Sequence, residues 1–488
     1  MKNDRWGITL YVLLLLTVVR LWLMPIGSSL GLDETGTYYL ATQGWGDYVA
    51  GQLPQIQSPL YTAFMHILIV IVGPNEVLLR LPSVIAMMLA LVALYRIGAR
   101  FADEEAGLIG VATFVTIPYN AFAAADARPY GLAMLASLGA MLMLLRWLDD
   151  GKLLDGVLYV LLAALTVHLH YLFATTVVIH GAYATMVLFR GGKVSARDAT
   201  IAAALIALLL LPLVPIIKSL LTSPLVHAFA PEPGLKDFYG SFIPVIALSG
   251  LGMGLLVAAL IFPGVKINLV PLRDGFCQLA FLWIVVPPAC LFLFSRLSGT
   301  SVFVPRYYLP SFAGVAVLLG TAVRTIQPAR VRHVTVGLLL LVGITSRGVR
   351  DLWPPLAEDW RGAIRAVRLL ADKGSMPVLL ETGFVEASNA ESLTRAEYRK
   401  GMLAPLVVYP LQTDVVTLPT GLSEDSLKYI DRVVEEVVIG SPRFVLLSRG
   451  EGPLPWLRGR LWSIGYLGKS VGNFDDVKVT LFERRPER

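Results

Sequence analysis

The chain has 488 residues, 56% of them hydrophobic and 16% charged, with a mean hydropathy of +0.67. A soluble domain carries roughly 25% charged residues, so this composition excludes an ordinary globular protein and marks an integral membrane protein. The net charge of +6 gives no reason to expect a nucleic-acid partner, because membrane proteins gather Lys and Arg on cytoplasmic loops.

In chain order, the first apolar run covers residues 6–26. It lacks the small-residue cleavage site of a signal peptide and is expected to stay as a membrane span. Directly after it comes GSSLGLDETGTYYLATQGW, with Asp33 and Glu34 adjacent where the chain leaves the membrane, followed by Tyr38, Tyr39 and Trp45. Two readings of the pair stand side by side. Asp33 caps a helix running to about Ala50, or it is a catalytic base at the membrane surface. The next segment, SPLYTAFMHILIVIVG (58–73), is apolar but too short to span. It is expected to lie in the outer interface with Tyr61 and His66 toward the headgroups.

Further spans are expected at 76–99, 104–123, 129–148, 153–168, 170–190, 198–217, 240–262, 275–295, 305–325 and 332–347, about eleven in all. With the N-terminus cytoplasmic, one side gathers Arg96 and Arg100, Arg146 and Lys152, Arg190 and Lys193, Lys266 and Arg273, and Arg324 and Arg330. That asymmetry satisfies the positive-inside rule. SGLGMGLL (249–256) lies inside a span with no strand before it, so its glycines read as close helix packing and not a phosphate loop.

From about residue 351 the composition changes. EDWRGAIRAVRLLADKG reads as an amphipathic helix, PVLLET, RFVLLS and DVKVTLFE as strands, and PLVVYP as a further apolar run. SEDSLKYIDRVVEEVV and LPWLRGRLWSIG read as intervening helices. The expected architecture is thus a polytopic α-helical membrane domain (1–350), with interfacial helices in its first outer loop, and a C-terminal soluble α/β domain (351–488). An odd number of spans puts that domain outside, on the side of Asp33.

On this topology the polar residues that are expensive near a membrane collect on the outer face. They are Asp33 and Glu34, Asp126 and Arg128 in AAADARPYGLAML, and His168, His170 and Tyr171 in TVHLHYLF. Lys218 follows, then Arg306, Tyr307 and Tyr308 in VFVPRYYLPSF. Each has a plain structural reading: a carboxylate at a helix start, a snorkelling or anchoring arginine, a loop-end lysine. His168 and His170, two apart, would point to different sides of a helix and make a poor metal pair. The convergence of so many ionisable groups is what suggests a site. Nucleotides are not expected outside the cytoplasm, so an energy-rich donor must arrive in the lipid. A sugar on a polyprenyl phosphate fits, with cations for its phosphate and a carboxylate base for the acceptor hydroxyl.

The order of the DE element, SPLY, LRLPS (79–83), ARPYGL (127–132), HY (170–171) and RYYLP (306–310) resembles the C-type glycosyltransferases that use lipid-phosphate sugars. The branch is that of protein O-mannosyltransferases and aminoarabinose transferases, and the resemblance covers roughly residues 6–347. It implies Asp33 as base, with Glu34 and Asp126 as further acids of the catalytic set that orient the sugar or tune Asp33. Arg128 and Arg306 would bind the donor phosphate, helped by Lys218. Tyr38, Tyr39, Tyr61, His170, Tyr171 and Tyr307 are the candidates to line the substrate pocket. Where many relatives have His or Lys followed by Pro, this chain has Gln57 and Ser58 before Pro59. That removes a potential metal or phosphate ligand, so no cofactor is called for and a divalent metal is disfavoured.

The function implied is an inverting transfer of a monosaccharide from a polyprenyl-phosphate donor to a hydroxyl of a glycan, lipid or protein, at the outer face of a bacterial inner membrane. A lipid-linked glycan polymerase or ligase is the nearest alternative. A lipid-linked sugar transporter is another, but it should carry ionisable groups at mid-membrane depth and repeated halves.

Overall fold

The computed structural model describes residues 5–51, 57–222, 230–346, 358–371, 376–388, 390–450 and 452–485. The first apolar run is helix α1 (Arg5–Val18), which continues through one π turn and a 3₁₀ turn to Gly27. After it come two short helices, α2 (Leu32–Ala41) and α3 (Trp45–Val49), in place of one helix to Ala50. The break follows from Thr42 leaving helical geometry, with the Gly44 N–H folding back onto the Tyr39 carbonyl at 2.9 Å.

The cap of α2 also differs from expectation. Gly31 is the N-cap, and the Glu34 carboxylate turns back to accept the Gly31 N–H at 2.8 Å. Asp33 therefore sits within the first turn with its carboxylate released from capping. Helix α4 (Pro59–Val72) starts from Ser58, whose hydroxyl accepts the Tyr61 N–H. It packs against α2, and this turns two expected outward residues inward. Tyr61 is 1% exposed, and His66 meets the Ala41 carbonyl through Nδ1 at 2.6 Å while stacking on Trp45.

The bundle continues with α5 (Glu76–Phe101), α6 (Glu104–Thr116), α7 (Pro118–Ala124), α8 (Tyr130–Asp150), α9 (Leu153–Leu169) and α10 (Thr175–Phe189). Then follow α11 (Ala196–Leu210), α12 (Val214–Thr222), α13 (Leu235–Gly240), α14 (Val245–Ile261), α15 (Phe276–Ser298), α16 (Leu309–Arg324) and α17 (Ala329–Thr345). A two-residue ladder joins β1 (Lys266–Ile267) to β2 (Ile326–Gln327).

Each expected span falls on helix, but among the described residues six helices are long and apolar enough to cross a membrane. The number is seven if α6 and α7, bent by 79°, form one span, in place of the eleven expected. Hydropathy counts apolar residues, whereas Pro118 and Pro310 at helix starts and the extended backbone of His170 cut the apolar runs into shorter helices. Several helix crossings are tight enough to require glycine. A Cβ on Gly320 would lie 2.5 Å from the Ala106 carbonyl of α6, and one on Gly254 would lie 2.7 Å from the Thr335 carbonyl of α17.

One end of the bundle carries an ion-pair network. Arg324 meets Asp103 at 2.7 Å, Arg332 meets Glu105 at 2.8 Å, and Arg100 and Arg273 share Asp149. The opposite end, with α2, the start of α5 and the α7–α8 connection, meets a mixed β-sheet. Its strands are β3 (Val378–Glu381), β4 (Val415–Thr417), β5 (Arg443–Arg449), β6 (Tyr466–Phe474) and β7 (Val477–Arg484), in the order β4-β3-β5-β7-β6. The first three are parallel, and β7 is antiparallel to both β5 and β6.

Alternation along the strands sends Val378, Leu380, Val445 and Leu447 to one face, under α18 (Trp360–Ala371). Leu379, Phe444 and Leu446 face α22 (Glu424–Val433) and α23 (Leu454–Ser463) on the other. Between β3 and β4 run α19 (Ala390–Thr394), α20 (Ala396–Met402) and α21 (Ala404–Val408). The apolar run PLVVYP thus falls mostly on helix α21, with Tyr409 and Pro410 beyond its end. Pro405 stands in its first turn, where its missing N–H costs nothing, and Ala404 and Val407 pack on Tyr39 of α2.

Candidate active site

The local reason that two adjacent acids face different surroundings is helical geometry: neighbours are about 100° apart around the axis. Glu34 points into protein. Its Oε1 accepts Arg80 Nε and the Ala127 N–H, both at 2.7 Å, and its Oε2 accepts Arg80 Nη2 and the Gly31 N–H. Arg80 is fully buried in α5 and spends its remaining donors on the carbonyls of Ile26, Ser28 and Ser29. Every carboxylate lone pair is engaged, so Glu34 fastens α2 to α5 and to the chain before α8.

Asp33 points the other way, into a cavity of about 660 Å³, and keeps 41% of its side chain exposed. Its Oδ2 accepts Arg306 Nη1 at 2.7 Å. Arg128 Nη1 lies 4.0 Å from Oδ1 and donates to the Asp33 backbone carbonyl at 3.0 Å. Burial alone would raise the Asp33 carboxyl, but the charges of Arg128, Arg306 and Arg449 together outweigh it and hold it below the ordinary carboxylate range.

Asp126, 2% exposed in the connection before α8, behaves in the opposite way. Among the described residues it forms no ion pair, and burial together with the nearby Glu34 charge pushes its carboxyl well above the usual range. Two acids on one cavity are therefore shifted in opposite directions, Asp33 downward by its arginines and Asp126 upward by burial.

Of the residues expected from the sequence, Asp33, Glu34, Asp126, Arg128, Arg306 and Tyr307 line this cavity together. Arg306 also lies 5.4 Å from the Tyr307 ring. His170 stands one ring behind, 5.5 Å from Tyr307 and 5.0 Å from Tyr130. Tyr38 and Tyr61 are buried in the packing of α2 and α4, and Tyr171 reaches the Gln57 carbonyl from α9's end, so none of the three lines the cavity. Lys218 lies exposed on α12, away from it. Among the described residues no three His, Cys, Asp or Glu side chains are grouped to hold a metal ion.

Several lining residues were missed. Gln57 is 7% exposed, held by Thr37 at 3.1 Å, and its amide nitrogen has no partner among the described residues. Glu358, Phe384, Glu386 and Arg449 come from the C-terminal sheet region. Arg80 was visible in LRLPS as an arginine in an apolar run, but nothing local names its partner. For Glu358 and Arg449 no local signal exists.

Comparisons with known proteins bear on this arrangement. Residues 56–217 match the family model described as dolichyl-phosphate-mannose-protein mannosyltransferase, a segment that holds Gln57, Arg80, Asp126 and Arg128 but not Asp33 or Arg306. No curated protein sequence matches the chain. The crystal structure of ArnT from Cupriavidus metallidurans in the apo state is 12% identical, with a TM-score of 0.55 over 96% of this chain and 97% of that one. The same protein bound to undecaprenyl phosphate is 11% identical, with a TM-score of 0.56 over 98% of each chain. The chain is thus a membrane protein with the fold of ArnT, and over residues 56–217 it resembles the dolichyl-phosphate-mannose-protein mannosyltransferase family.

Proposed function

We propose that the protein is an inverting glycosyltransferase that moves a monosaccharide from a polyprenyl-phosphate donor to an acceptor hydroxyl at the extracytoplasmic face of a bacterial inner membrane. The observation that carries this reading is the ionised Asp33 set between Arg128 and Arg306 in one cavity at the bundle end. Support also comes from the ArnT structure, whose fold this chain shares and which holds undecaprenyl phosphate. The basic residues at the other bundle end favour a cytoplasmic assignment for that end.

In the proposed reaction Asp33 takes the proton of the acceptor hydroxyl as its oxygen bonds to the anomeric carbon. The bond from that carbon to the phosphate oxygen breaks with inversion, and polyprenyl phosphate leaves with the electron pair. Arg128 and Arg306 hold the charge that develops on it. The same arginines that depress Asp33 turn toward the donor phosphate once it is bound. Their charge is then shared, and Asp33 becomes a stronger base when the donor is in place. Asp126, whose burial favours the protonated form, serves as a hydrogen-bond donor to the sugar. Lys218 has no part in this scheme.

The test is to incubate the purified protein in lipid nanodiscs with a panel of polyprenyl-phosphate monosaccharides and follow sugar transfer or release by mass spectrometry. Turnover of one donor identifies class and sugar together. A well-folded protein inert toward all of them would end the proposal.

A further inference from the structure

Helix α2 has a second fastening, and it comes from the far end of the chain. Four N–H groups at a helix start have no partner within the helix. The Gly31 N–H goes to Glu34, but the Leu32 N–H is met at 2.6 Å by Glu358 Oε2, a carboxylate 326 positions downstream. Glu358 is 4% exposed, and its Oε2 also accepts Trp360 Nε1 at 2.7 Å. Its Oε1 accepts Arg449 Nε at 2.6 Å. A buried carboxylate with three donors, one of them a cation, is well compensated, and a negative charge at this position suits the helix dipole.

Arg449 closes β5, beside Gly383 in the loop after β3. These are the carboxyl ends of adjacent parallel strands, the edge at which open α/β sheets commonly bind ligands. Here that edge abuts the membrane domain. Phe384 packs on Gly36 of α2, and the Tyr409 hydroxyl bonds the Leu30 N–H at 2.8 Å.

We propose that Glu358 and Arg449 make the C-terminal domain a working part of the active site, Glu358 capping the Asp33 helix from outside and Arg449 standing over the cavity as a third cation. Both are positioning residues. The proposal rests on the transferase reading for its effect on catalysis, but the cap itself does not.

Asp33 is surrounded by the cations Arg128, Arg306 and Arg449, by the acids Glu34, Asp126, Glu386 and the Arg449-paired Glu358, and by the phenols Tyr130 and Tyr307. Removing one of three cations favours the protonated carboxyl, so the acid limb of the rate profile must move to higher pH.

Two measurements on the full-length protein test this. In the first, kcat/KM is followed against pH for wild type, R449M and R449K. R449M should shift the acid limb upward, each unit costing about tenfold in rate below the limb, while R449K keeps the limb in place. Superimposable profiles for R449M and wild type overturn the electrostatic role. In the second, hydrogen exchange is read in peptides covering residues 30–41, with α5 peptides as the folding control. E358A should speed exchange of the first turn of α2 by roughly tenfold or more while α5 stays protected. Unchanged exchange overturns the cap whatever the activity. A wild-type protein inert toward every donor refutes the transferase reading and leaves the exchange result to decide the cap.

Discussion

Arg306 Nη1 lies 2.7 Å from Asp33 Oδ2, a contact between residues 273 positions apart that joins the first connection after α1 to the turn before α16. A carboxylate and a guanidinium at this distance hold each other charged in a cavity. Replacing Asp33 by Asn keeps the shape and removes the base. The expected result is a loss of about 10²–10⁴ in transfer rate. Because Asp33 does not cap α2, size-exclusion behaviour should stay at wild type, and loss of the half-exposed ion pair to Arg306 should lower the melting temperature only slightly. Initial rates with a lipid-linked donor check the first part.

Arg306→Ala removes one of two cations expected at the leaving phosphate. Hydrogen bonds to charged groups contribute about 1.5–3 kcal/mol, so affinity for polyprenyl phosphate should fall roughly tenfold to a hundredfold. Arg306→Lys should recover part of it. Binding of the lipid phosphate by titration in nanodiscs is the measurement, and unchanged affinity would return Arg306 to a simple interfacial anchor.

The pH dependence has a defined sign. Asp33 is held below the ordinary 3.8, first raised by burial and then lowered further by Arg128, Arg306 and Arg449. Its stabilising ion pairing is present above the unfolded value and is lost as pH falls through the folded one. The acid limb of kcat/KM, which reports the free enzyme, should therefore lie below about pH 4. A limb well above that would contradict an ionised, arginine-bound Asp33.

Glu34 and Arg80 predict a stability effect. Arg80→Met leaves a buried carboxylate without its cation, which costs roughly 3–5 kcal/mol. The yield of folded protein and its melting temperature in detergent should drop sharply. The double variant Arg80→Met with Glu34→Gln removes both charges and should be less damaged than the single one.

In the C-terminal sheet, Glu381 is 1% exposed, its Oε2 has no partner among the described residues, and burial pushes its carboxyl up from 4.5 to about 7. The folded chain keeps the proton while the unfolded chain releases it, so stability falls as pH rises from 4.5 to about 7 and then levels. Glu381→Gln should remove that slope, about 3 kcal/mol in all. The melting temperature of the variant should exceed wild type at pH 8 and match it at pH 4.

Sequence alone went as far as local patterns reach. Hydropathy located the helices, because burial in lipid is written residue by residue. Asp33, Asp126, Arg128 and Arg306 stood out because ionisable groups at helix ends carry a solvation cost that needs a reason. The amphipathic helix at α18 and the apolar runs of β3 and β5 were readable for the same cause. PLVVYP was not assignable because a short apolar run suits strand or helix equally, and only contact with Tyr39 selected the helix.

Tertiary structure decided the rest, because the deciding interactions join distant positions. Whether Glu34 faces substrate or Arg80 depends on how α2 meets α5, and no window around residue 34 contains Arg80. Glu358 and Arg449 look like ordinary surface charges until folding sets one on the Leu32 N–H and the other over the cavity. Composition and periodicity determine which segments leave water. Which charge ends beside which is settled by packing.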